Sequence, residues 1–259
     1  GYTTNFGKAY LEGFGSEQGV VVAKSELYDY LKANKGLIIM NSDDVKQEKQ
    51  VGRYSNTFSF SEYKQASVNI SLLDSQPFLN VSLVDIVIKT HLVGVYNFHN
   101  IAAALAVGSF FNLTPQQLKS GIEAYVPANN RSQIIQQNSN QILLDAYNAN
   151  PSSMEVALEN FKGTQNSNKL AILGDMFELG ANSAKEHLEI VNQAILTKGC
   201  VFYFIGSLFF EQKIAHSTFL FFETFKELQS HLEEITISNT SILIKGSRGM
   251  ALERVLELI

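Results

Sequence analysis

The chain has 259 residues, of which 45% are hydrophobic and 17% charged, a balance typical of a globular protein with one large domain or two ordinary ones. Its formal net charge is -5 and its Lys and Arg residues do not cluster, which disfavours nucleic-acid binding. No long apolar run predicts a membrane span, and the single cysteine, Cys200, has no internal disulfide partner. Together with the lack of a signal peptide at the start, these features predict a cytoplasmic protein.

The first predicted element is a helix over residues 16–33, with Ser16 as its N-cap. Three apolar residues recur at helical spacing and predict its buried face: Val20, Leu27 and Leu31. Lys24 lies on the same face. Such a lysine either packs its stem while the amine reaches solvent, or is shifted toward its neutral, reactive form.

Residues 37–90 alternate apolar and polar side chains, which predicts half-buried and antiparallel strands. An Ala-rich helix is predicted over residues 98–111 and is expected to end at Asn112. Residues 114–117, Thr-Pro-Gln-Gln, then start another helix with a capping box.

From residue 129 onward, strand-like runs alternate with helical ones, which predicts a parallel, doubly wound α/β sheet. The strands are expected at 142–144, 170–173, 201–205, 219–222 and 242–244. Helices are expected from Pro151, Ser183 and Thr224, the last two with capping boxes, and again at the end of the chain to Ile259. The boundary between the two patterns is predicted near Pro127.

Polar turns follow four of the predicted strands of this second part, and ligands of open α/β sheets bind beyond the carboxyl ends of the strands. The turns are Asp145–Pro151, Gly174–Glu178, Gly206–Ser207 and Lys245–Gly249. The last turn has two cations and leads into a helix N-terminus, an arrangement that suits an anionic group. The sequence therefore predicts a polar site at this edge of the sheet.

Several familiar site motifs are missing from the 259 residues. No G-x-x-x-x-G-K-[ST] phosphate loop and no G-x-G-x-x-G dinucleotide motif is present. The five histidines lack metal-ligand spacing, and no G-x-S-x-G nucleophile elbow occurs.

Six blocks of residues, in this order, resemble the Mur ligases, and the resemblance covers essentially the whole chain. The most specific blocks are Asp145–Pro151 (Asp-Ala-Tyr-Asn-Ala-Asn-Pro) and Leu173–Gly180 (Leu-Gly-Asp-Met-Phe-Glu-Leu-Gly). The others are Leu11–Ser16 with Ala23–Leu27, Gly94–Asn100, Asn130–Gln133 and Lys245–Arg248. Within the family, the blocks are most similar to those of the ligases that add D-alanyl-D-alanine to UDP-N-acetylmuramoyl-tripeptide.

The resemblance implies an α/β chain made of two domains. Residues 1–127 would be the C-terminal part of the central, ATP-binding domain, with mixed or antiparallel strands and without the phosphate loop. Residues 128–259 would be the C-terminal, Rossmann-like domain. The UDP-binding domain and the phosphate loop would belong to N-terminal segments of the same protein that precede Gly1.

The resemblance also implies the reaction. Family members use ATP and Mg²⁺ to convert a carboxylate into an acyl phosphate, which the amine of an amino acid or dipeptide attacks. Here the expected substrates are UDP-N-acetylmuramoyl-tripeptide and D-alanyl-D-alanine, in peptidoglycan precursor synthesis. The chain alone is expected to be inactive, because it lacks the phosphate loop.

Site residues follow from the matching blocks. Lys24 matches the family lysine that is carbamylated by CO₂ and then helps to hold Mg²⁺, and Arg131 matches an arginine that reaches the ATP phosphates. Asn97 and Asn100 match asparagines that contact adenine, although Asn97 also suits a helix N-cap. The ATP-facing turn of the C-terminal domain would be formed by Asp145, Tyr147 and Asn148, which are also ordinary turn residues.

The dipeptide carboxylate is expected at Lys245, Ser247 and Arg248, where an arginine suits bidentate pairing; a plain surface loop would explain these residues nearly as well. Two positions depart from the family pattern, and one of them is Tyr96, which replaces a histidine common in the block Gly94–Asn100. Tyr10 replaces the histidine that usually ligates Mg²⁺, which puts the second metal site in doubt.

Two other functions remain open from the sequence. The chain could belong to another Mur-type amide ligase, similar to folylpolyglutamate synthase, that adds a different amine. It could also be a non-catalytic module that keeps a nucleotide or peptide pocket without the chemistry, an alternative favoured by Tyr10 and the missing loop.

Overall fold

The computed structural model describes residues 1–7, 11–76, 78–164 and 166–259, and the backbone alone for Leu11. The described residues divide into two compact units. Unit 1 takes in residues 1–7 and 14–126, and unit 2 takes in residues 11–13 and 127–259. A short helix, α1 (Leu11–Phe14), has residues in both.

Unit 1 is a five-stranded mixed sheet with helices. In chain order its elements are α2 (Glu17–Ala33), β1 (Ile38–Asn41), α3 (Val45–Val51), β2 (Thr57–Ser61), β3 (Val68–Asp74), β4 (Asn80–Leu83), β5 (Ile86–Lys89), α4 (Tyr96–Phe110) and α5 (Pro115–Glu123). The strands are ordered β1-β2-β3-β4-β5. The first three run parallel, and β3, β4 and β5 pair antiparallel.

The main core of unit 1 forms where α4 packs on β1, β2 and β3. Small side chains on one face of α4, such as Ala102 and Ala106, are fully buried and let the helix approach the sheet closely. Thr114 and Gln117 form the predicted capping box at the start of α5, which packs on β5. Apolar burial of this kind is the main source of stability for such a layer.

Three details of unit 1 differ from the sequence predictions. The period-two pattern predicted antiparallel strands, but it does not distinguish the parallel set β1 to β3, and α3 interrupts the run; the mixed sheet that the resemblance allowed is confirmed. The helix over residues 16–33 is confirmed, yet its buried face contains Val20, Val21, Ser25 and Tyr28. Leu27, placed on that face by periodicity, is 39% exposed.

Unit 2 is a six-stranded sheet with helices in the connections. Its elements are β6 (Gln133–Gln137), β7 (Asn140–Asp145), α6 (Pro151–Lys162), β8 (Lys169–Gly174), α7 (Ser183–Ile195), β9 (Cys200–Ile205), α8 (Ser207–Phe210), β10 (Phe219–Phe222), α9 (Phe225–Glu233) and β11 (Ser241–Lys245). The order is β10-β9-β8-β11-β7-β6. All pairings are parallel except the β6–β7 hairpin, which confirms the predicted α/β class. Nearly continuous buried runs in β8, β9 and β11 are typical of strands covered on both faces.

Two predictions in unit 2 are wrong and one strand was missed. Ser183 does not cap α7, because a 3₁₀ turn, Gly180–Asn182, precedes that helix and no side chain caps it. The last segment forms 3₁₀ turns, Arg248–Met250 and Leu252–Glu257, rather than an α-helix. Strand β6 was missed because its Gln-rich sequence gives a weak hydrophobic signal.

The register of the sheet brings three polar turns together. Lys245, at the end of β11, lies opposite Asp145 at the end of β7 and opposite Leu173 near the end of β8. The turns after β8 and β11 approach closely at their glycines: a Cβ on Gly246 would lie 3.2 Å from the Cα of Gly174. The carboxyl ends of strands β7, β8 and β11 therefore form one continuous region, called the carboxyl edge below.

Candidate functional site at the carboxyl edge of unit 2

A buried ion pair lies at the centre of the carboxyl edge. The ammonium of Lys245 is 2.6 Å from Oδ2 of Asp145, and their side chains are 2% and 15% exposed. The same ammonium donates to the backbone carbonyl of Asn148, 3.3 Å away. An ion pair with so little water is kept only when its remaining hydrogen bonds are satisfied, as they are here.

The other carboxylate oxygen of Asp145 holds the chain around Arg131. Oδ1 accepts hydrogen bonds from the backbone N–H of Ser132 at 3.0 Å and from its hydroxyl at 3.4 Å. On the other side of Arg131, the carbonyl of Asn130 accepts from the N–H of Tyr147 at 3.0 Å. With its backbone fixed on both sides, Arg131 stacks its guanidinium 3.6 Å from the centre of the Tyr147 ring.

Ser247 connects the three turns. Its N–H donates to the carbonyl of Asp175 at 3.0 Å, in the turn after β8. Its hydroxyl accepts from the N–H of Phe177 at 2.8 Å and donates to the carbonyl of Ala149 at 3.4 Å, in the turn after β7. Ser247 is only 2% exposed. These contacts therefore occupy the hydroxyl that was expected to bind the substrate carboxylate.

A second buried polar group, His187, anchors the turn after β8. Its Nε2 accepts from the N–H of Met176 at 3.0 Å, and its Nδ1 donates to the carbonyl of Ser183 at 2.7 Å. This pattern assigns the neutral tautomer with the proton on Nδ1. Burial lowers the pKa of His187 below its ordinary value, in agreement with a role as acceptor.

Asp175 lies beside His187 in this interior, with 3.9 Å between Oδ1 and Nε2. Its carboxylate accepts from the N–H groups of Leu208 and Phe209, at 3.1 and 2.9 Å, and so begins helix α8. Burial raises the pKa of Asp175 although these donors favour the charged form. Gly206 has φ +116°, and a Cβ there would lie 2.2 Å from the Asp175 carboxylate, so this approach requires glycine.

Only some of the residues expected at this edge are exposed. Lys245 and Ser247 are buried, and Asp145 is partly buried. The exposed ones are Arg131, Tyr147, Asn148 and Arg248. Arg248 lies 5.8 Å from the Tyr147 ring centre, and its Nη1 is 3.5 Å from Oε1 of Glu253. Two guanidinium groups therefore flank one aromatic ring, which makes a cationic surface suited to an anion.

Sequence reasoning assigned no individual role to four residues that build this edge: Ser132, Asp175, Phe177 and His187. Two of them gave a usable signal, because Asp175 and Phe177 lie in a turn directly after a buried strand. Ser132 and His187 act through contacts distant in sequence, which periodicity does not reveal.

In unit 1, Lys24 is half-buried on α2, and its amine donates to the carbonyl of Asn5 at 2.8 Å. Burial lowers the pKa of Lys24, so the neutral amine is more accessible than in a free lysine. Tyr10 lies outside the described residues. Among the residues that the structure describes, no three His, Cys, Asp or Glu side chains form a metal-binding group.

The predicted asparagines lie at the start of α4. Asn97 is buried and donates to the carbonyl of Val93 at 2.8 Å, whereas the N-cap position is occupied by Val95, so the N-cap alternative is wrong. Asn100 is exposed and donates to Oδ1 of Asn97 at 3.0 Å. An apolar groove runs from Asn100 along α4, lined also by Tyr2, Thr4, Ala103, Ala104, Val107, Gly108, Phe111 and Leu113.

Comparison with known families identifies both units. The profile of the Mur ligase middle domain matches residues 1–108, and that of the Mur ligase glutamate ligase domain, the C-terminal domain, matches residues 130–248. The chain belongs to the Mur ligase family.

Individual Mur ligases cover nearly the whole chain. The UDP-N-acetylmuramoyl-tripeptide–D-alanyl-D-alanine ligase of Escherichia coli (strain K12) is 30% identical over 98% of this chain and 58% of its own length. The crystal structure of MurF from Acinetobacter baumannii has a TM-score of 0.82 and 25% identity, over 99% of this chain and 58% of that one. MurF from Thermotoga maritima in complex with ADP has a TM-score of 0.81 and 23% identity, over 98% and 60%.

The chain spans 57–59% of the length of the first three curated Mur ligases that it matches. In the described part of the chain, no helix combines the length and apolar character that crossing a bilayer requires.

The buried ion pair leads to a stability prediction. In Lys245→Met, Asp145 keeps its charge without its partner, so we expect the free energy of unfolding to fall by about 3–5 kcal/mol in urea denaturation. The control Lys185→Met removes an exposed partner of Glu189 and should change the free energy of unfolding by less than about 1 kcal/mol. Adding Asp145→Asn to Lys245→Met should recover part of the loss. Equal effects of Lys185→Met and Lys245→Met would contradict the stabilising role assigned to the ion pair of Lys245 and Asp145.

His187 leads to a prediction of pH dependence. Since its folded pKa lies below its unfolded value of about 6.5, the unfolded state binds more protons as the pH falls below that value. Stability should therefore decrease between pH 7 and pH 5.5, by up to about 1.4 kcal/mol per pH unit. His187→Gln should flatten this dependence in urea titrations, whereas the exposed His216→Gln should not. A dependence unchanged in His187→Gln would argue against the buried neutral histidine.

Proposed function

We propose that this chain is the ATP- and acceptor-binding part of an amide ligase that adds D-alanyl-D-alanine to UDP-N-acetylmuramoyl-tripeptide. Residues 1–127 would be the C-terminal part of the central domain, and residues 128–259 would be the C-terminal, Rossmann-like domain. ATP would supply the phosphoryl group that activates the carboxylate as an acyl phosphate. Such a protein would act in the cytoplasm, in peptidoglycan precursor synthesis.

The observation that carries this proposal is the pair of guanidinium groups around Tyr147. Transfer of a phosphoryl group to a carboxylate develops negative charge on oxygens, which fixed cations stabilise. Arg131 is exposed but immobilised by its stacking contact, so it can bind phosphate oxygens without first being ordered. Asn148, on the same turn, adds an exposed amide. The residues present therefore fit a nucleotide phosphate.

Unit 1 supports the nucleotide proposal independently. Asn100 presents an exposed carboxamide at one end of the apolar groove along α4. A nucleobase has apolar faces and a polar edge, so a groove of this kind with one amide suits it. Asn97, whose oxygen accepts from Asn100, would orient that amide.

Lys24 would supply a Mg²⁺ ligand. Its neutral amine can add to CO₂, forming a carbamate and releasing one proton, which replaces a cation by an anion. The lowered pKa of Lys24 and its half-buried position favour that chemistry, and an oxygen anion is the ligand type that Mg²⁺ prefers. Because Tyr10 stands where the family usually has a Mg²⁺-binding histidine, Lys24 is the main candidate Mg²⁺ ligand in this chain.

Two other functions make different predictions about the amine acceptor. A ligase similar to folylpolyglutamate synthase would use glutamate instead of the dipeptide. A non-catalytic module would bind nucleotide or peptide without turnover.

The test is a ligation assay of the complete gene product with ATP, Mg²⁺, UDP-N-acetylmuramoyl-tripeptide and either amine, measured as phosphate release and product mass. We expect turnover with D-alanyl-D-alanine and none with glutamate. Arg131→Ala should lower kcat by about 10²–10³-fold, because a cation at the transferring phosphoryl group is lost. Lys24→Arg, which keeps the charge but cannot form the carbamate, should lower kcat similarly.

Controls separate these effects from folding. Arg53→Ala removes an exposed arginine of unit 1 and should leave kcat within about twofold, since it lies outside the proposed machinery. The 259-residue chain alone should show no turnover. Turnover by that chain would refute the requirement for a phosphate loop, and nucleotide binding without turnover in the complete product would establish the non-catalytic module.

A further inference from the structure

Phe177 is an unusual residue at the carboxyl edge because it is large, apolar and 42% exposed. It lies in the turn after β8, between Met176, which is fully buried, and Glu178, which has a left-handed backbone with φ 61°. A non-glycine residue with positive φ marks a turn whose shape is imposed by its surroundings. Within this turn the Phe177 ring is partly exposed, whereas the Met176 side chain is in the core.

Three contacts hold Phe177 in place. Its N–H donates to the hydroxyl of Ser247 at 2.8 Å, and the preceding N–H, of Met176, donates to His187 at 3.0 Å. Its ring lies on Gly249, where a Cβ would be 2.9 Å from Cε2 of Phe177. With two consecutive amides fixed and the ring against a backbone, Phe177 is a rigid surface rather than a mobile side chain.

The neighbour of this surface is Arg248, which lies in the chain between Ser247 and Gly249. Its side chain is 63% exposed, and the other expected substrate ligands, Lys245 and Ser247, are consumed by buried contacts. The Phe177 ring contacts Gly249, the residue after Arg248, so a carboxylate that replaced Glu253 as the partner of Arg248 would have an apolar wall near it. This combination suits an acceptor that carries a carboxylate and short apolar side chains.

We propose that Phe177 is a specificity-determining residue, whose ring forms the wall that limits the size of the acceptor side chain next to the carboxylate bound by Arg248. Lys245 and Ser247 are then positioning residues that hold the wall and the arginine in place. This inference rests on the proposed function, since it assigns the acceptor subsite of that reaction.

The expected size of the effect follows from pocket energetics. An apolar wall distinguishes side chains that differ by a methylene or more by about 10–200-fold. Truncating the wall should therefore change the ratio of affinities for large and small acceptors more than the affinity for the small one. Removing Arg248 should weaken both acceptors alike, because both carry the carboxylate.

The experiment measures calorimetric affinities of the complete gene product, with Mg²⁺ and ADP present, for D-alanyl-D-alanine and D-alanyl-D-leucine. Wild type should prefer the former. Phe177→Ala should shift the ratio toward D-alanyl-D-leucine by at least about tenfold, and Arg248→Ala should weaken both. Phe177→Trp, a second variant that keeps a folded aromatic wall, should weaken the binding of both peptides. Tyr63→Ala, which removes an exposed ring of unit 1, should leave the ratio unchanged.

The outcomes separate the two proposals. If both dipeptides bind and the ratio in Phe177→Ala stays within twofold of wild type, the specificity role of Phe177 is refuted while the ligase proposal stands. If neither dipeptide binds to wild type and the ligation assay shows no turnover, both proposals fail.

Discussion

The carboxyl edge of unit 2 depends on two buried side chains: Lys245, the last residue of β11, and Ser247, in the turn that follows it. Lys245 binds the carboxylate at the end of β7, and Ser247 binds backbone groups in the turns after β7 and β8. Neither side chain could be buried without these partners, because an unpaired charge or hydroxyl in the interior costs several kcal/mol. The polar contacts therefore fix three turns relative to one another, which β-sheet register alone does not do.

The fixed turns have a chemical consequence. Asp145, Lys245 and Ser247 pair with each other or with the backbone. The groups left facing solvent are then two guanidinium groups, two aromatic rings and one amide: Arg131, Arg248, Tyr147, Phe177 and Asn148. Fixed guanidinium groups are suited to phosphate and carboxylate oxygens, since their orientation is established before the ligand binds. The division into buried supports and exposed groups thus explains how a turn of ordinary residues can present fixed cations to solvent.

Much of this arrangement could be predicted from the sequence. Alternating strands and helices gave the parallel sheet, and the turns after β7, β8 and β11 were expected at one edge. What could not be predicted is which polar residues face inward: Lys245 resembles a ligand in the sequence, yet its ammonium is buried against Asp145. Leu27, on α2, is the reverse case, since its periodicity suggests burial and the structure exposes it. Such assignments depend on contacts between residues about 100 positions apart, which local patterns do not contain.

The central claim is that Ser247 supports the turn after β8 instead of binding substrate, and amide hydrogen exchange tests it most directly. In wild type, the Phe177 amide should be protected by the Ser247 hydroxyl. In Ser247→Ala it should exchange at least about tenfold faster, while the amide of Ile172, inside β8, should be unaffected. An unprotected Phe177 amide in wild type, or equal protection in Ser247→Ala, would contradict the account.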